Sequence, residues 1–213
     1  MSDRPRVFLA TRNAGKVAEM QRILAAHLPD IEVLGLEDVE AYDEPVEDRA
    51  TFEGNAVLKA ETGARVTGLP TIADDSGLSV AALNGMPGVL SARWSGPPKD
   101  DDRNNRLLLD QLADVPDARR GARFVCAVAF SVPGEDTVVV HGEMAGRVIR
   151  ACRGEGGFGY DSLFVPDVHD QDEAPGGGRG RTAAELTKVE KDACSHRGSA
   201  LRDLAPLVAA RLS

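Results

Sequence analysis

The sequence predicts an α/β fold in which helices cover a mixed β-sheet that is divided into two lobes. Three observations support this prediction: a strand, turn and helix unit opens the chain, later segments carry apolar residues at helical spacing, and a run of strongly apolar strands lies in the middle. The chain has 213 residues, of which 42% are hydrophobic, so it is long enough for one two-lobed domain over residues 1–213.

The first part of the chain alternates strands with helices. Residues 6–11 predict a short buried strand, after which a helix begins near residue 15. Residues 31–36 predict a second strand, residues 37–48 an exposed acidic loop, and a second helix follows. The apolar residues that mark the two helices are Val17, Met20, Leu24 and Leu28 in the first and Phe52, Ala56 and Ala60 in the second.

The second part contains the strongest strand signals. A helix over residues 101–112 precedes three apolar strands at 123–132, 137–144 and 146–150, and we expect these to form a β-meander. The tract 172–181 has the composition of a flexible surface loop, and we interpret it as a spacer without chemistry.

The end of the chain predicts helices. Thr187 and Glu190 have the spacing of a capping box, which starts a helix. A final helical stripe follows, formed by Leu201, Leu204, Val208 and Leu212.

Charge and cysteine content exclude several classes of protein. The net charge of −9 argues against a surface built for nucleic-acid or membrane binding, and no stretch approaches the ~18 apolar residues of a membrane helix. Cys126, Cys152 and Cys194 show no pairing pattern, which favours a reducing cytoplasm over a disulfide framework. The histidines have no metal-ligand spacing, so a zinc site is not expected.

Two phosphate-binding motifs are absent. Residues 10–17 contain a Gly-Lys pair at positions 15 and 16, but Ala10 and Val17 stand where a Walker loop needs glycine and a hydroxyl residue. Residues 154–159 match G-x-G-x-x-G, yet a strand rather than a helix is predicted next, which excludes a dinucleotide fingerprint. Phe158, Tyr160 and Asp161 nevertheless offer the aromatic and acceptor groups that can hold a purine.

Adjacent carboxylates suggest a metal site. Asp74 and Asp75 follow an apolar run, and we expect a turn at the end of the strand to expose both of them. Two neighbouring carboxylates repel each other unless a cation intervenes, which suggests Mg²⁺, although an Asx turn is the simpler alternative. Glu40, Glu44 and Glu47 in the acidic loop are candidate further ligands.

Six segments, in this order, resemble the inosine/xanthosine triphosphate pyrophosphatase (HAM1-like) family. They are ATRNAGK, FEGNAVLKA, ADDSGL, GMPGVLSARWSG, GGFGYDSLF and ELTKVEKDACSHRG, spread from residue 10 to residue 198. The resemblance implies a long mixed sheet, a substrate cleft between two lobes and a homodimer. It also implies Mg²⁺-dependent hydrolysis of ITP, dITP, XTP or dXTP to the monophosphate and pyrophosphate.

The resemblance also implies roles for individual residues. The general base and metal ligand is Asp75, with Asp74 beside it and with Glu47 and Lys59 as further phosphate and metal-site residues. The triphosphate-binding turn comprises Thr11, Arg12, Asn13, Ala14, Gly15 and Lys16, and Ser76 touches substrate. The residues that enclose and read the base are Phe158, Gly159, Tyr160, Asp161, Lys191, His196 and Arg197. Taken singly, each of the cationic side chains is typical of a solvated surface charge.

Two alternatives and two departures remain. The alternatives are a Maf-like pyrophosphatase for other modified nucleotides and a purine triphosphate sensor without turnover. Arg12 stands where many family members have glycine, and its side chain either reaches phosphate or points to water. The tract 168–181 is longer and richer in glycine than is usual in the family.

Overall fold

A mixed β-sheet organises the protein, which is described by a computed structural model covering residues 4–12 and 14–212. Within these residues the sheet has six strands, β1 (Arg6–Leu9), β2 (Glu32–Leu34), β3 (Thr71–Val80), β4 (Gly121–Ser131), β5 (Val138–Val148) and β6 (Phe164–Pro166), in the order β2-β1-β3-β4-β5-β6. Strand β1 pairs in parallel with β2 and β3, whereas β5 and β6 are antiparallel. The predicted mixed sheet is therefore confirmed.

The helices begin close to the predicted positions. They are α1 (Ala14–Ala25), α2 (Phe52–Thr67), α3 (Asp101–Gln111), α4 (Lys188–Cys194) and α5 (His196–Leu212). Thr51 caps α2 by accepting from the amide of Gly54, and the predicted capping box of Thr187 and Glu190 is present at the start of α4. No helix among the described residues is long and apolar enough to cross a membrane.

The chain divides into two compact units. The first unit comprises the described residues up to Asp75, Cys126–Gly142 and the residues from Ser199 onwards. Its core joins β1 and β2 to α1 and α5 through buried apolar side chains that include Val7, Leu9, Met20, Leu24, Val33, Leu204 and Val208. A layer of alanines packs α2 onto the strands, and the small side chains of Ala56, Ala60, Ala73, Ala127 and Ala129 allow a close approach.

The second unit comprises Ser76–Val125 and Glu143–Gly198. Leu108 and Leu112 are fully buried, as the predicted helical stripe requires, and they join a core that contains Leu78, Val80, Met144, Val148, Leu163 and Phe164. The rings of Phe124 and Phe164 meet edge to face with their centroids 4.8 Å apart.

The predicted three-stranded meander is wrong in one respect. One continuous strand, β5 (Val138–Val148), replaces the two predicted strands at 137–144 and 146–150, and the antiparallel partner of its end is β6. Gly146 does not interrupt the strand, since buried and more exposed residues continue to alternate on both sides of it. A Cβ at this position would collide with the carbonyl of Val165 and the ring of Phe164, so glycine serves the close approach of β6 rather than a turn.

Arg120 is a buried cation in the second unit, with 2% of its surface exposed. Its guanidinium donates hydrogen bonds to the carbonyls of Leu112, Val148 and Ile149. Burial lowers the pKa of this guanidinium. The side chain therefore provides a donor for one carbonyl at the end of α3 and for two at and just after the end of β5.

Replacing Arg120 with methionine is expected to lower the free energy of unfolding by about 3–5 kcal/mol, because three carbonyls lose their donor. Urea unfolding followed by circular dichroism measures the change. Arg119→Met is the matched control, since Arg119 is exposed, and it should cost less than about 0.5 kcal/mol. An equal loss in both variants would contradict the role assigned to Arg120.

Candidate active site

Asp74 and Asp75 lie within β3, and the predicted turn at this point is wrong. The strand continues to Val80 because both carboxylates find partners from other elements instead of bonding their own backbone, as an Asx turn requires. Lys16 donates to both oxygens of Asp74 at 2.9 Å, and Asn55 donates to Asp75 Oδ2 at 2.9 Å. These tertiary contacts favour the extended strand over the local turn.

Lys16 is therefore not a solvated surface charge. It extends from the first turn of α1 to Asp74, and the side chains of the pair are 23% and 8% exposed. Such partial burial weakens solvent screening and strengthens the pair. The structure brings together these two predicted residues, which are 58 positions apart in the chain.

Lys59 connects the acidic loop to β3. Its ammonium, on α2, donates to Glu47 Oε1 at 2.7 Å and to the carbonyl of Asp74 at 2.6 Å. The same nitrogen lies 3.8 Å from Asp75 Oδ1. Lys16, Lys59, Glu47, Asp74 and Asp75 together form a lysine–carboxylate cluster in the first unit.

The lysine–carboxylate cluster fits a divalent cation. Mg²⁺ prefers oxygen ligands and is commonly held by one or two carboxylates together with substrate phosphates. The two predicted ligands, Glu47 and Asp75, both approach the Lys59 ammonium, so their carboxylates already converge on a cation. In the part of the chain that the structure describes, no group of three or more His, Cys, Asp or Glu side chains could hold a metal ion.

The predicted triphosphate-binding turn lies between β1 and α1. Thr11 follows β1, while Ala14 and Gly15 are the first two residues of α1, and the N-terminus of a helix favours an anion. Asn13, also predicted to bind phosphate, lies outside the described residues.

Arg12 does not simply point to water. Its side chain pairs with Glu44 in the acidic loop through Nε at 2.9 Å and Nη2 at 2.5 Å. Both partners are substantially exposed, so the pair is weakly stabilising. Burial raises the pKa of Tyr42, and the negative charge of Glu44 adds to the rise.

The predicted base-binding residues of the second unit meet around Asp161. Its Oδ2 accepts from the amide of Phe158 at 2.8 Å and from the ammonium of Lys191 at 2.5 Å. The same ammonium lies 5.3 Å from the centre of the Phe158 ring. Phe158 is 66% exposed. Gly157 has φ +76°, and a Cβ there would collide with Asp161, so the turn requires glycine.

Helix α3 holds the Phe158–Asp161 turn through residues that sequence reasoning missed. Asp101 accepts from the amide of Gly159 at 2.8 Å, and Asn105 donates to the carbonyl of Gly159 at 2.9 Å. The i, i+4 spacing of these polar residues on α3 was the available signal. Tyr160 donates to the carbonyl of Ser91, and burial raises the pKa of its hydroxyl.

The remaining predicted residues also lie in the second unit. Arg197 Nη2 is 3.4 Å from Ser76 Oγ. The His196 ring stacks on Phe124, with centroids 5.1 Å apart and planes inclined by 13°. His196 and Arg197 are the first two residues of α5, so their positions depend on that helix.

The protein combines an α/β sheet with a lysine–carboxylate cluster and with a turn that carries an aromatic ring beside a cation. We expect these features in an enzyme that acts on a phosphorylated ligand with an aromatic base. The model of the Ham1 family matches residues 7–207, and the chain belongs to this family. A dITP/XTP pyrophosphatase from Nocardia farcinica is 59% identical over 96% of this chain and 95% of its own length.

Solved structures agree with this assignment. The nucleoside-triphosphatase / dITP/XTP pyrophosphatase of Mycobacterium abscessus is 51% identical with a TM-score of 0.77, and covers 94% of this chain and 99% of that one. The Ham1 protein of Staphylococcus aureus is 35% identical with a TM-score of 0.83, over 97% and 99% of the two chains. Membership of the Ham1 family argues against the alternative of a Maf-like pyrophosphatase.

Proposed function

We propose that the protein hydrolyses noncanonical purine nucleoside triphosphates, namely ITP, dITP, XTP and dXTP, to the monophosphate and pyrophosphate. The observation that carries the proposal is the convergence of Lys59 on Glu47 and Asp75 in a chain so similar to dITP/XTP pyrophosphatases. The cluster combines cationic groups that bind phosphates with a carboxylate that can accept a proton.

Asp75 acts on the attacking water. Asn55 orients its carboxylate through Oδ2, and the carboxylate accepts the proton of the water as the water oxygen attacks the α-phosphorus. The bond between the α-phosphorus and the bridging oxygen breaks, and pyrophosphate leaves with the electron pair.

Lys16, Lys59 and the backbone amides at the start of α1 bind the triphosphate. The substrate carries about four negative charges near neutral pH, so its binding needs local cations on a chain of net charge −9. Mg²⁺, held by Glu47 and Asp75, would offset phosphate charge and stabilise the charge that develops on pyrophosphate. In the absence of substrate, Asp74 and Glu47 neutralise the two lysines.

The second unit selects the base. Lys191 and Arg197 carry only hydrogen-bond donors, and they suit the 6-keto group of hypoxanthine or xanthine. Adenine presents an amino group there and would leave these donors without an acceptor on the base, a mismatch that can discriminate by ~10⁴. The exposed ring of Phe158 offers a face on which the base can stack.

Pyrophosphate release from dITP, XTP, dGTP, dATP and dUTP, measured in parallel with Mg²⁺ and with EDTA, tests the proposal. Mg²⁺-dependent release from dITP and XTP, far above the others, is expected. Release mainly from dUTP would contradict the substrate assignment. Stoichiometric binding of dITP without product would favour the nucleotide sensor.

We also propose a homodimer located in the cytoplasm. The dimer rests on the family resemblance, and analytical ultracentrifugation tests it. None of the three cysteines forms a disulfide, with Cys126 buried and Cys152 exposed, which supports a reducing compartment.

A further inference from the structure

We propose that Arg181, at the end of the glycine-rich tract, is a positioning residue that anchors α4 and thereby places Lys191 for base binding. The inference rests on the proposed function, because it assigns Lys191 to the base. It also gives the tract 172–181 a role in place of the spacer expected from its composition.

Helix α4 depends on contacts outside itself. It has seven residues, none of them buried. Isolated helices shorter than ~12 residues are marginal in water, and most helical stability in proteins comes from packing of an apolar face. Cys194, at the end of α4, is partly buried against the core of the second unit, so the start of the helix is the part that relies on polar contacts to keep its position.

Arg181 provides the most extensive of these contacts. Its guanidinium meets Glu190 through Nη2 and Oε1 at 2.6 Å and through Nη1 and Oε2 at 3.3 Å, a two-point pairing. Glu190 is the capping-box residue of α4, and its Oε2 also accepts from the amide and hydroxyl of Thr187. Arg181 thus holds the first turn of the helix.

The ionisation of Glu190 is consistent with this anchor. The guanidinium of Arg181, followed by the hydrogen bonds from Thr187, lowers the pKa of Glu190 to about 2. A carboxyl pKa that is depressed on folding stabilises the folded state above the ordinary carboxyl pKa, and the stabilisation disappears as the pH falls through about 2. The anchor is therefore charged across the neutral range.

Arg181 is itself held by the rest of the tract. Asp172 accepts from Arg181 Nε at 3.0 Å and contacts His169 Nδ1 at 2.7 Å. The amide of Arg181 donates to the carbonyl of His169, and Arg153 donates to the carbonyl of Gly180 at 2.6 Å. These contacts hold both the backbone and the guanidinium of Arg181 and keep the side chain directed at α4.

The anchor leads directly to the proposed base site. Lys191 follows Glu190 in the chain, and its ammonium binds Asp161, which also accepts from the amide of Phe158. If α4 shifts, Lys191 loses its place beside Asp161 and Phe158. Binding of the base should suffer, while the lysine–carboxylate cluster of the first unit stays intact.

The test compares Arg181→Gln, Arg181→Lys and the control Arg179→Gln. Arg179 lies in the same tract and pairs with Asp170, so the control removes the same charge without touching α4. Steady-state kinetics with dITP gives KM and kcat, and hydrogen exchange of the amides of α4 reports the anchor without any need for activity. Thermal melting detects general destabilisation.

Arg181→Gln is expected to raise KM for dITP about tenfold with kcat nearly unchanged, and to speed exchange in α4 but not in α3. Arg181→Lys should recover part of the loss, because it keeps the charge but not the two-point geometry. Arg179→Gln should resemble the wild type.

Unchanged KM and exchange in Arg181→Gln would overturn the proposal, and so would a lower Tm with unchanged KM, which would assign Arg181 to stability alone. If the wild type releases no pyrophosphate from dITP, the proposed function fails. Exchange then decides the anchoring by itself: faster exchange in α4 supports it, and equal exchange in all variants refutes it.

Discussion

Replacing Asp75 with asparagine is expected to lower kcat for dITP about a thousandfold while the protein remains folded. Asparagine keeps the size of the side chain and can still accept the hydrogen bond from Asn55. It cannot take a proton from water, and it has no charge with which to hold a cation. Pyrophosphate release at saturating dITP and Mg²⁺ measures the change.

Asp114→Asn is the matched control for this variant. Asp114 is exposed, so the same change of charge there should leave kcat unaltered. Circular dichroism confirms that Asp75→Asn is folded. Near-wild-type turnover in a folded Asp75→Asn variant would remove Asp75 from the role of general base.

Replacing Lys59 with methionine is expected to lower kcat/KM for dITP about a hundredfold. The change removes the cation that Glu47 and Asp75 share and deprives the carbonyl of Asp74 of its donor. Phosphate binding loses a positive charge, and the two carboxylates face each other without an intervening ammonium. Initial rates at low dITP concentration give kcat/KM directly.

Two further variants serve as controls for Lys59→Met. Lys99→Met removes an exposed lysine and should leave kcat/KM unchanged. Lys59→Arg keeps the charge but changes the geometry, so an intermediate loss is expected. If Lys59→Met is as active as Lys99→Met, Lys59 has no part in substrate binding or catalysis.

Local pattern predicted the helices and most of the strands. The stripe of Leu201, Leu204 and Val208 is buried in α5, and the capping box of Thr187 and Glu190 begins α4. Both signals depend on residues three or four positions apart, so a single chain segment carries all the information. Gly146 shows the limit of such reasoning, because glycine is needed there for the close approach of another strand, β6.

The family resemblance named the candidate site residues, but it could not give their contacts. The resemblance to the family named Asp75, Lys59 and Lys191. The residues alone left the two lysines as plausible surface charges and Asp75 as part of either a metal site or an Asx turn. Composition favoured a turn at Asp74 and Asp75, and strand β3 continues because Lys16 and Asn55 bind those carboxylates. The i, i+4 spacing of Asp101 and Asn105 places them on one face of α3, but it does not indicate that their partner is Gly159, more than 50 positions away.

The sequence by itself determined the α/β class, the helix positions and the residue types available for chemistry, because hydrophobic spacing and side-chain identity are local properties. Only the tertiary structure decided which charges meet. Lys16 reaches Asp74 across 58 positions, and Lys191 reaches Asp161 across 30. Such pairs form only when the folded core brings distant segments together, and partial burial then makes their attraction stronger than that of the same charges in water.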